Sequence, residues 1–286
     1  MSTTVNPYIP APARIEKIVI ENDEKDLKTF RFAFCDKSDE TAFSHECGQF
    51  AMLNIAGAGE IPIGIASSPL DKGFLEFTVK RYPTGVVTTA LHDLSEGDIV
   101  GIRGPLGNSF PLQTMAGKNL VIIGGGFAFT TLRAAIRWLL SGEMRGKYGN
   151  ITILYGARSP GELLYKPELE EWQKRSDVKT VITVDKGDYA WKGRVGLVPM
   201  VLKEIAPSPV DAYCLVCGPP IMLKFTMPPL LELGFAPEAI LTSLERKMSC
   251  GIGKCGRCNV GSKYVCKDGP VFPYSKIREL EDRGLA

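Results

Sequence analysis

The stretch Cys250-Gly251-Ile252-Gly253-Lys254-Cys255-Gly256-Arg257-Cys258 constrains this chain more than any other, and with Cys266 it reads C-x4-C-x2-C-x7-C. The first two spacings are those of a plant-type [2Fe–2S] site. Such a site needs thiolates delivered from one tight loop and a return segment, with backbone N–H groups turned inward toward the sulfides. Glycines at 251, 253 and 256 remove the Cβ atoms that would block this approach, and they tolerate positive φ. Lys254 and Arg257 offset the negative charge of a thiolate-ligated cluster. Structural zinc is the rival reading, although zinc sites more often pair two short knuckles. Here there is one knuckle, a short hairpin-like piece and a lone fourth cysteine. Four reduced packing cysteines would be the plainest reading, and glycine-rich surroundings do not suit it.

A cluster at the end of a long chain must be fed by the rest of it. The length of 286 residues suggests two domains with room for a small module. A net charge of +2 argues against nucleic acid as a main partner. No apolar run is long enough for membrane insertion. The N-terminal residues lack the charged-then-apolar layout of an export signal, so the expected location is cytoplasmic. Eight cysteines in such a chain favour metal or redox use over disulfides. Of those outside the motif, Cys35, Cys47 and Cys214 are expected to be small buried hydrophobes.

From Ala13 to about Gly104 the chain alternates with period 2 between short turn signals, the pattern of a small antiparallel β barrel. One helix interrupts it, opening at Thr84-Gly85. At about Phe110 the pattern changes. NLVIIGGG is a continuous apolar run, the mark of a strand buried on both faces. Helical and apolar segments then alternate through ITILYGAR, ELEEWQKR, VKTVITVD, LVPMVLKEI and AYCLVCGPP, which means a doubly wound parallel-sheet α/β domain. The segment PPIMLKFTMPPLLELG reads as a helix that Pro228-Pro229 must break or kink. AILTSLE is a fifth strand candidate. The expected organisation is therefore an antiparallel barrel over 1–110, a nucleotide-type α/β domain over 111–236 and a cluster-binding module over 237–286.

Three turns are candidate ligand sites. Gly124-Gly125-Gly126 ends the first parallel strand before a helix, where a pyrophosphate would meet N-terminal N–H groups. The bare triple glycine is equally a flexible turn. Thr84-Gly85-Val86-Val87-Thr88 is a helix start with two hydroxyls, and an ordinary capped helix explains it as well. Cys217-Gly218-Pro219 ends a later parallel strand, where open sheets place the ligand crevice; Cys217 is thus either near chemistry or an inert packing residue.

Together these motifs resemble the ferredoxin–NADP reductase superfamily, in the branch of FAD and [2Fe–2S] electron-transfer subunits. That branch includes sulfhydrogenase gamma subunits, the corresponding chain of anaerobic sulfite reductase and the dihydroorotate dehydrogenase electron-transfer subunit. The resemblance covers essentially the whole chain. It implies that the barrel would bind FAD, with Ile65, Ala66, Ser67 and Ser68 along the flavin and Gly85, Val86, Val87 and Thr88 at the pyrophosphate. It implies also that Gly124, Gly125, Gly126, Thr130, Gly218 and Pro219 would bind NAD or NADP, with Arg158 near the adenosine ribose and Cys217 as the catalytic-side residue. Cys250, Cys255, Cys258 and Cys266 would ligate the cluster. The branch's R-x-Y-S flavin motif is replaced here by Ile61-Pro62-Ile63-Gly64, so flavin contacts lean on backbone groups and Thr88. Its Gly-Gly-x-Gly-x-Ala-Pro turn reads Gly125-Gly126-Phe127-Ala128-Phe129-Thr130-Thr131.

The implied function is an electron-transfer subunit of a larger oxidoreductase, passing electrons between NAD(P)H and catalytic and iron–sulfur partner subunits through FAD and the [2Fe–2S] cluster. Two alternatives stand beside it: a relay and docking subunit whose nucleotide site no longer works, motivated by Ala128, and a dihydroorotate dehydrogenase electron-transfer subunit. His45 and His92 are expected to be surface or structural residues. Val271, Phe272, Pro273 and Tyr274, after the last ligand, are expected to form an exposed docking patch.

Overall fold

A computed structural model of the chain describes residues 6–282. Its first sheet has six antiparallel strands, Ala11–Ile20, Leu27–Phe34, Phe50–Ile55, Gly59–Gly64, Leu75–Lys80 and Ile99–Leu106. Period-2 alternation turns Phe30, Phe32, Leu53, Phe77, Val79 and Ile102 into one core. The sheet curls until its two edges, Gly59–Gly64 and Leu75–Lys80, lie side by side without a ladder between them. Just beyond the first edge, the Ala66 N–H donates to the Glu76 carbonyl at 2.8 Å and bridges this seam. The barrel is therefore open, closed at one point by the segment that follows the edge strand. Helix Val86–His92 stands where the sequence places it. A further helix, Lys37–Ala42, is too short for periodicity to reveal; Asp36 caps it by accepting the Ser38 N–H.

The second sheet runs in the order Arg194–Val195, Lys179–Val184, Ile151–Ala157, Asn119–Gly125, Ala212–Cys217, Ile240–Ser243 and Val271–Pro273. All pairings are parallel except the last. Strand Asn119–Gly125 shows why its sequence lacks alternation. Leu120 and Ile122 pack under helices Thr130–Leu139 and Lys166–Lys174, whereas Val121 and Ile123 pack under Val198–Ile205 and Pro220–Glu232. Strand order reverses beside it: the chain leaves Asn119–Gly125 for Ile151–Ala157 on one side and later returns as Ala212–Cys217 on the other.

Several expectations change here. Helix Pro220–Glu232 runs through Pro228 and Pro229 unbroken. The carbonyls left without N–H partners belong to Lys224 and Phe225, which are solvent-exposed, so water can satisfy them. Cys47 and Cys214 are buried, but Cys35 is exposed just past the end of its strand. The tail does not present an apolar patch. Val271–Pro273 pairs with Ile240–Ser243, and Phe272 is 4% exposed. The edge of the parallel sheet offered unpaired backbone groups, and the tail covers them. The last fifty residues thus divide: strands 240–243 and 271–273 complete the α/β sheet, and the cysteine segment bulges out between them. That segment packs on the barrel through a third core of Phe50, Met52, Cys258, Val260, Val265, Cys266 and Phe272.

Candidate cofactor sites

The four cysteines lie on a loop, a two-rung hairpin and one helical turn. Asn259–Val260 pairs with Lys263–Tyr264, and Cys266 follows on the turn Val265–Asp268. Gly251, Gly253 and Gly256 all have left-handed φ, at 71°, 75° and 74°. These turns aim backbone N–H groups at sulfur. Ile252, Lys254 and Cys255 donate to Cys250 Sγ at 3.5, 3.3 and 3.4 Å, and Gly253 donates to Cys266 Sγ at 3.1 Å. Burial opposes ionisation of Cys250, but the backbone donors together outweigh it and bring that thiol down to about 6. Four thiols spaced C-x4-C-x2-C-x7-C, with backbone N–H groups turned toward two of the sulfurs, are the donor set a [2Fe–2S] cluster takes. Cys258 and Cys266 are buried toward the barrel, and Cys255 is exposed.

The second site is the crevice where strand order reverses. Gly124 and Cys217 are directly paired across the two strands, which brings both glycine turns to one place. The three glycines serve different ends. A Cβ on Gly124 would strike the Phe129 ring, and one on Gly125 or Gly218 would strike Met222. Phe129 is in turn stacked on Tyr155, with centroids 3.9 Å apart. Gly126 has φ +54° and nothing within 4 Å of its Cβ position, so its backbone is open to a ligand. Thr130 is buried and opens helix Thr130–Leu139 directly behind the 3-10 turn Gly126–Phe129, whose carbonyls accept its N–H. Ala128 is half-buried and packs against the α/β core. Arg158 is exposed just past Ile151–Ala157. Cys217 is buried, and burial pushes its thiol up to about 12 despite the Ser243 backbone hydrogen bond. It sits in the crevice wall as a neutral thiol, not as a thiolate nucleophile.

The flavin side is divided. Residues 65–68 are buried, and their polar groups are largely engaged by protein. Arg133 donates to the Ala66 carbonyl at 3.3 Å, the Glu76 N–H to Ser67 Oγ at 3.0 Å, and the Asp71 carboxylate accepts the Ser68 N–H at 2.8 Å. His45 Nε2 lies 3.2 Å from the Ser67 carbonyl, and His92 Nε2 2.9 Å from the Val79 carbonyl. Both histidines are structural, and burial holds both below the usual imidazole range. The half-exposed surface is the preceding strand, Gly59–Gly64. A Cβ on Gly64 would lie 3.6 Å from Thr131 Oγ1 of the α/β domain, and one on Gly59 would lie 3.6 Å from Val87 at the start of helix Val86–His92. That helix start is open, with Val86 and Tyr82 exposed and Thr88 Oγ1 donating to the Gly85 carbonyl. Strand Gly59–Gly64 therefore lies between the crevice and the Gly85 turn, with Thr131 beside one end and Val87 beside the other.

Behind residue 66 lies a feature that no motif announces. Arg133 donates to Glu76 at 2.6 Å and to both carboxylate oxygens of Glu168 at 2.9 and 2.5 Å, with Tyr165 4.4 Å from its guanidinium carbon. Glu76 also accepts from Arg31 and Arg137. Burial of Glu76 opposes its charge, but the arginines outweigh that and hold its carboxyl below the usual range. This ionic joint fastens barrel to α/β domain.

Fold and sites together define a flavin and iron–sulfur oxidoreductase with the ferredoxin–NADP reductase fold. Three family profiles tile the chain: an oxidoreductase FAD-binding domain over 16–110, an oxidoreductase NAD-binding domain over 122–227, and the iron–sulfur cluster binding domain of dihydroorotate dehydrogenase B over 245–278. The chain is 39% identical over 279 residues to sulfhydrogenase 1 subunit gamma of Pyrococcus furiosus, covering 95% of this chain and 93% of the relative. It is 36% identical over 253 residues to a probable dihydroorotate dehydrogenase B (NAD(+)) electron transfer subunit of Thermococcus kodakarensis, covering 88% and 92%. It belongs to this family of FAD- and [2Fe–2S]-containing electron-transfer subunits. A chain of the NADH-dependent reduced ferredoxin–NADP oxidoreductase superposes over 99% of this chain and 98% of its own length, with TM-score 0.71 and 25% identity. The flavohaem-like FAD/NAD-binding domain of nitric oxide dioxygenase from Vibrio cholerae covers 83% and 99% with TM-score 0.70 at 18% identity, a likeness of fold. Among the described residues, no helix is long and apolar enough to cross a membrane.

Proposed function

We propose that the chain takes electrons from NADH or NADPH at the crevice of Gly126, Thr130 and Gly218–Pro219 and delivers them to a partner subunit at the exposed edge of the cysteine loop. The observation that carries this reading is strand Gly59–Gly64, which lies beside Thr131 at the crevice and beside Val87 at the Gly85 turn. When bound, FAD would supply two-electron hydride chemistry and the [2Fe–2S] cluster one-electron transfer. The chain's own residues supply position. Gly126 and the turn Gly126–Phe129 that leads into Thr130–Leu139 would hold nucleotide phosphates. Arg158 would meet the ribose end, and Cys217 would line the nicotinamide side as an apolar neutral thiol. Strand Gly59–Gly64 would present backbone to the flavin, and Gly85, Val86, Val87 and Thr88 would receive the pyrophosphate. Residues 65–68 would act from behind, fixing that strand.

The partner would dock where electrons leave. Cys255 is exposed between Lys254 and Arg257, and the Lys267 side chain lies over Gly253. A catalytic or iron–sulfur subunit of a larger complex would meet this rim. Eight unpaired cysteines suit a reducing, cytoplasmic setting. The test is anaerobic mixing of the flavin- and cluster-loaded chain with NADH and, separately, NADPH. The flavin band bleaches with one of them, and the [2Fe–2S] electron paramagnetic resonance signal follows. In Cys255→Ser the flavin still bleaches, but the signal is lost or altered. A flavin that neither nucleotide bleaches overturns the reading.

A further inference from the structure

Arg103 is buried at the junction of three parts of the molecule. It comes from barrel strand Ile99–Leu106, and its side chain is 4% exposed. Its Nε and Nη2 donate to the two carboxylate oxygens of Glu60 at 3.2 and 2.8 Å. Its Nη1 donates to the Pro7 carbonyl at 3.1 Å and to the Cys250 carbonyl at 3.0 Å. Glu60 stands on Gly59–Gly64, the strand assigned to the flavin, and Cys250 is a cluster cysteine whose sulfur accepts N–H groups from its own loop. Tyr8 lies over the guanidinium at 6.0 Å, and on its ring also rests Lys254, whose Nζ is 5.8 Å from the centroid. The rigid fork of arginine suits this set of acceptors, and lysine could not reproduce it.

We propose that Arg103 is a positioning residue that sets the redox level of the cluster through the Cys250 peptide, with Glu60 holding its charge in check. Reduction adds one negative charge to a site whose nearby wall is dry and apolar, lined by Phe50, Met52 and Val265. A fixed cation bonded to a ligand's own carbonyl favours the reduced form there, and the low dielectric keeps its field from being screened. Glu60 opposes it from the far side of the guanidinium. The inference rests on the cysteine loop holding a [2Fe–2S] cluster.

The two partners of this ion pair therefore act with opposite signs. In a redox titration of the full chain followed by electron paramagnetic resonance, Arg103→Gln lowers the cluster midpoint and Glu60→Gln raises it. The change in each direction is about tenfold in the oxidised-to-reduced ratio, which is about 59 mV for one electron. Arg103→Lys restores part of the Arg103→Gln shift. The Arg103→Gln shift persists at high salt, because Arg103 is buried. A merely structural ion pair predicts that both variants loosen the loop and move the midpoint the same way, or leave it unchanged; either result overturns the proposal. If Arg103→Gln fails to retain iron, Glu60→Gln decides alone, and a midpoint that stays or falls overturns it. Iron content and signal shape are measured first. A wild-type chain with no [2Fe–2S] signal overturns the cluster reading, whereas a wild-type signal with unshifted variants overturns the role of Arg103 only.

Discussion

The barrel is joined to its two neighbours in opposite ways. Against the α/β domain the contact is ionic, with Arg133, Arg137 and Arg31 converging on Glu76, and Glu168 and Asp71 completing the set. Against the cysteine segment it is apolar, with Phe50 and Met52 meeting Val260, Val265 and Phe272, and Arg103 crossing it to the Cys250 carbonyl. Charged hydrogen bonds are directional, so the first joint holds in one geometry and fails when one member is removed. Apolar packing excludes water and sets the dielectric around buried groups. The difference matches what crosses each joint. A hydride must pass between atoms held in near-contact alignment, so the nucleotide side is fixed in angle. The cluster side is defined by environment.

The largest effect should come from wetting the apolar joint. Phe272→Asp replaces a buried ring with an unpaired charge and should destabilise the cysteine segment by more than about 4 kcal/mol. Iron should be lost on gel filtration while flavin absorbance stays. Breaking the ionic joint comes next. Arg133→Met leaves Glu76 and Glu168 short of a partner and should cost about 3–5 kcal/mol in urea unfolding. It should slow flavin reduction by nucleotide while leaving the cluster spectrum intact; a changed spectrum with normal flavin reduction would erase the contrast between the joints.

The ionic joint should also be the acid-sensitive one. The folded carboxyl of Glu76 titrates below its unfolded value of 4.5, so the unfolded chain binds more protons in that window. The stability it contributes is complete above 4.5 and is lost as pH falls through the lower folded value. Thermal melting across this range should show that loss in the wild type and a shallower slope in Glu76→Gln. The smallest effect is a control away from both joints. Lys203 and Glu232 form an exposed pair at 3.0 Å, and Lys203→Ala should change stability by less than about 1 kcal/mol.

Much of this protein was legible in its sequence. Period-2 runs, continuous apolar strands and strand–helix alternation are local patterns, and each reports the burial of its own segment. The cysteine spacing and its glycines carry the loop chemistry, and the structure realises it with N–H groups aimed at sulfur. What stayed hidden depends on distant partners. Arg103 and Cys250 are 147 residues apart, and Arg133 and Glu76 are 57 apart; no window of sequence holds both ends of either bond. The sequence does not announce that the polar groups of residues 65–68 bond to Glu76, Arg133, Asp71 and His45, partners that lie elsewhere in the chain. Phe272 reads as an exposed aromatic because a strand's residues say nothing of whether a sheet edge is waiting for it. Local composition determines which elements form. Their pairing is decided by unsatisfied edges and buried charges, which exist only once the elements have packed.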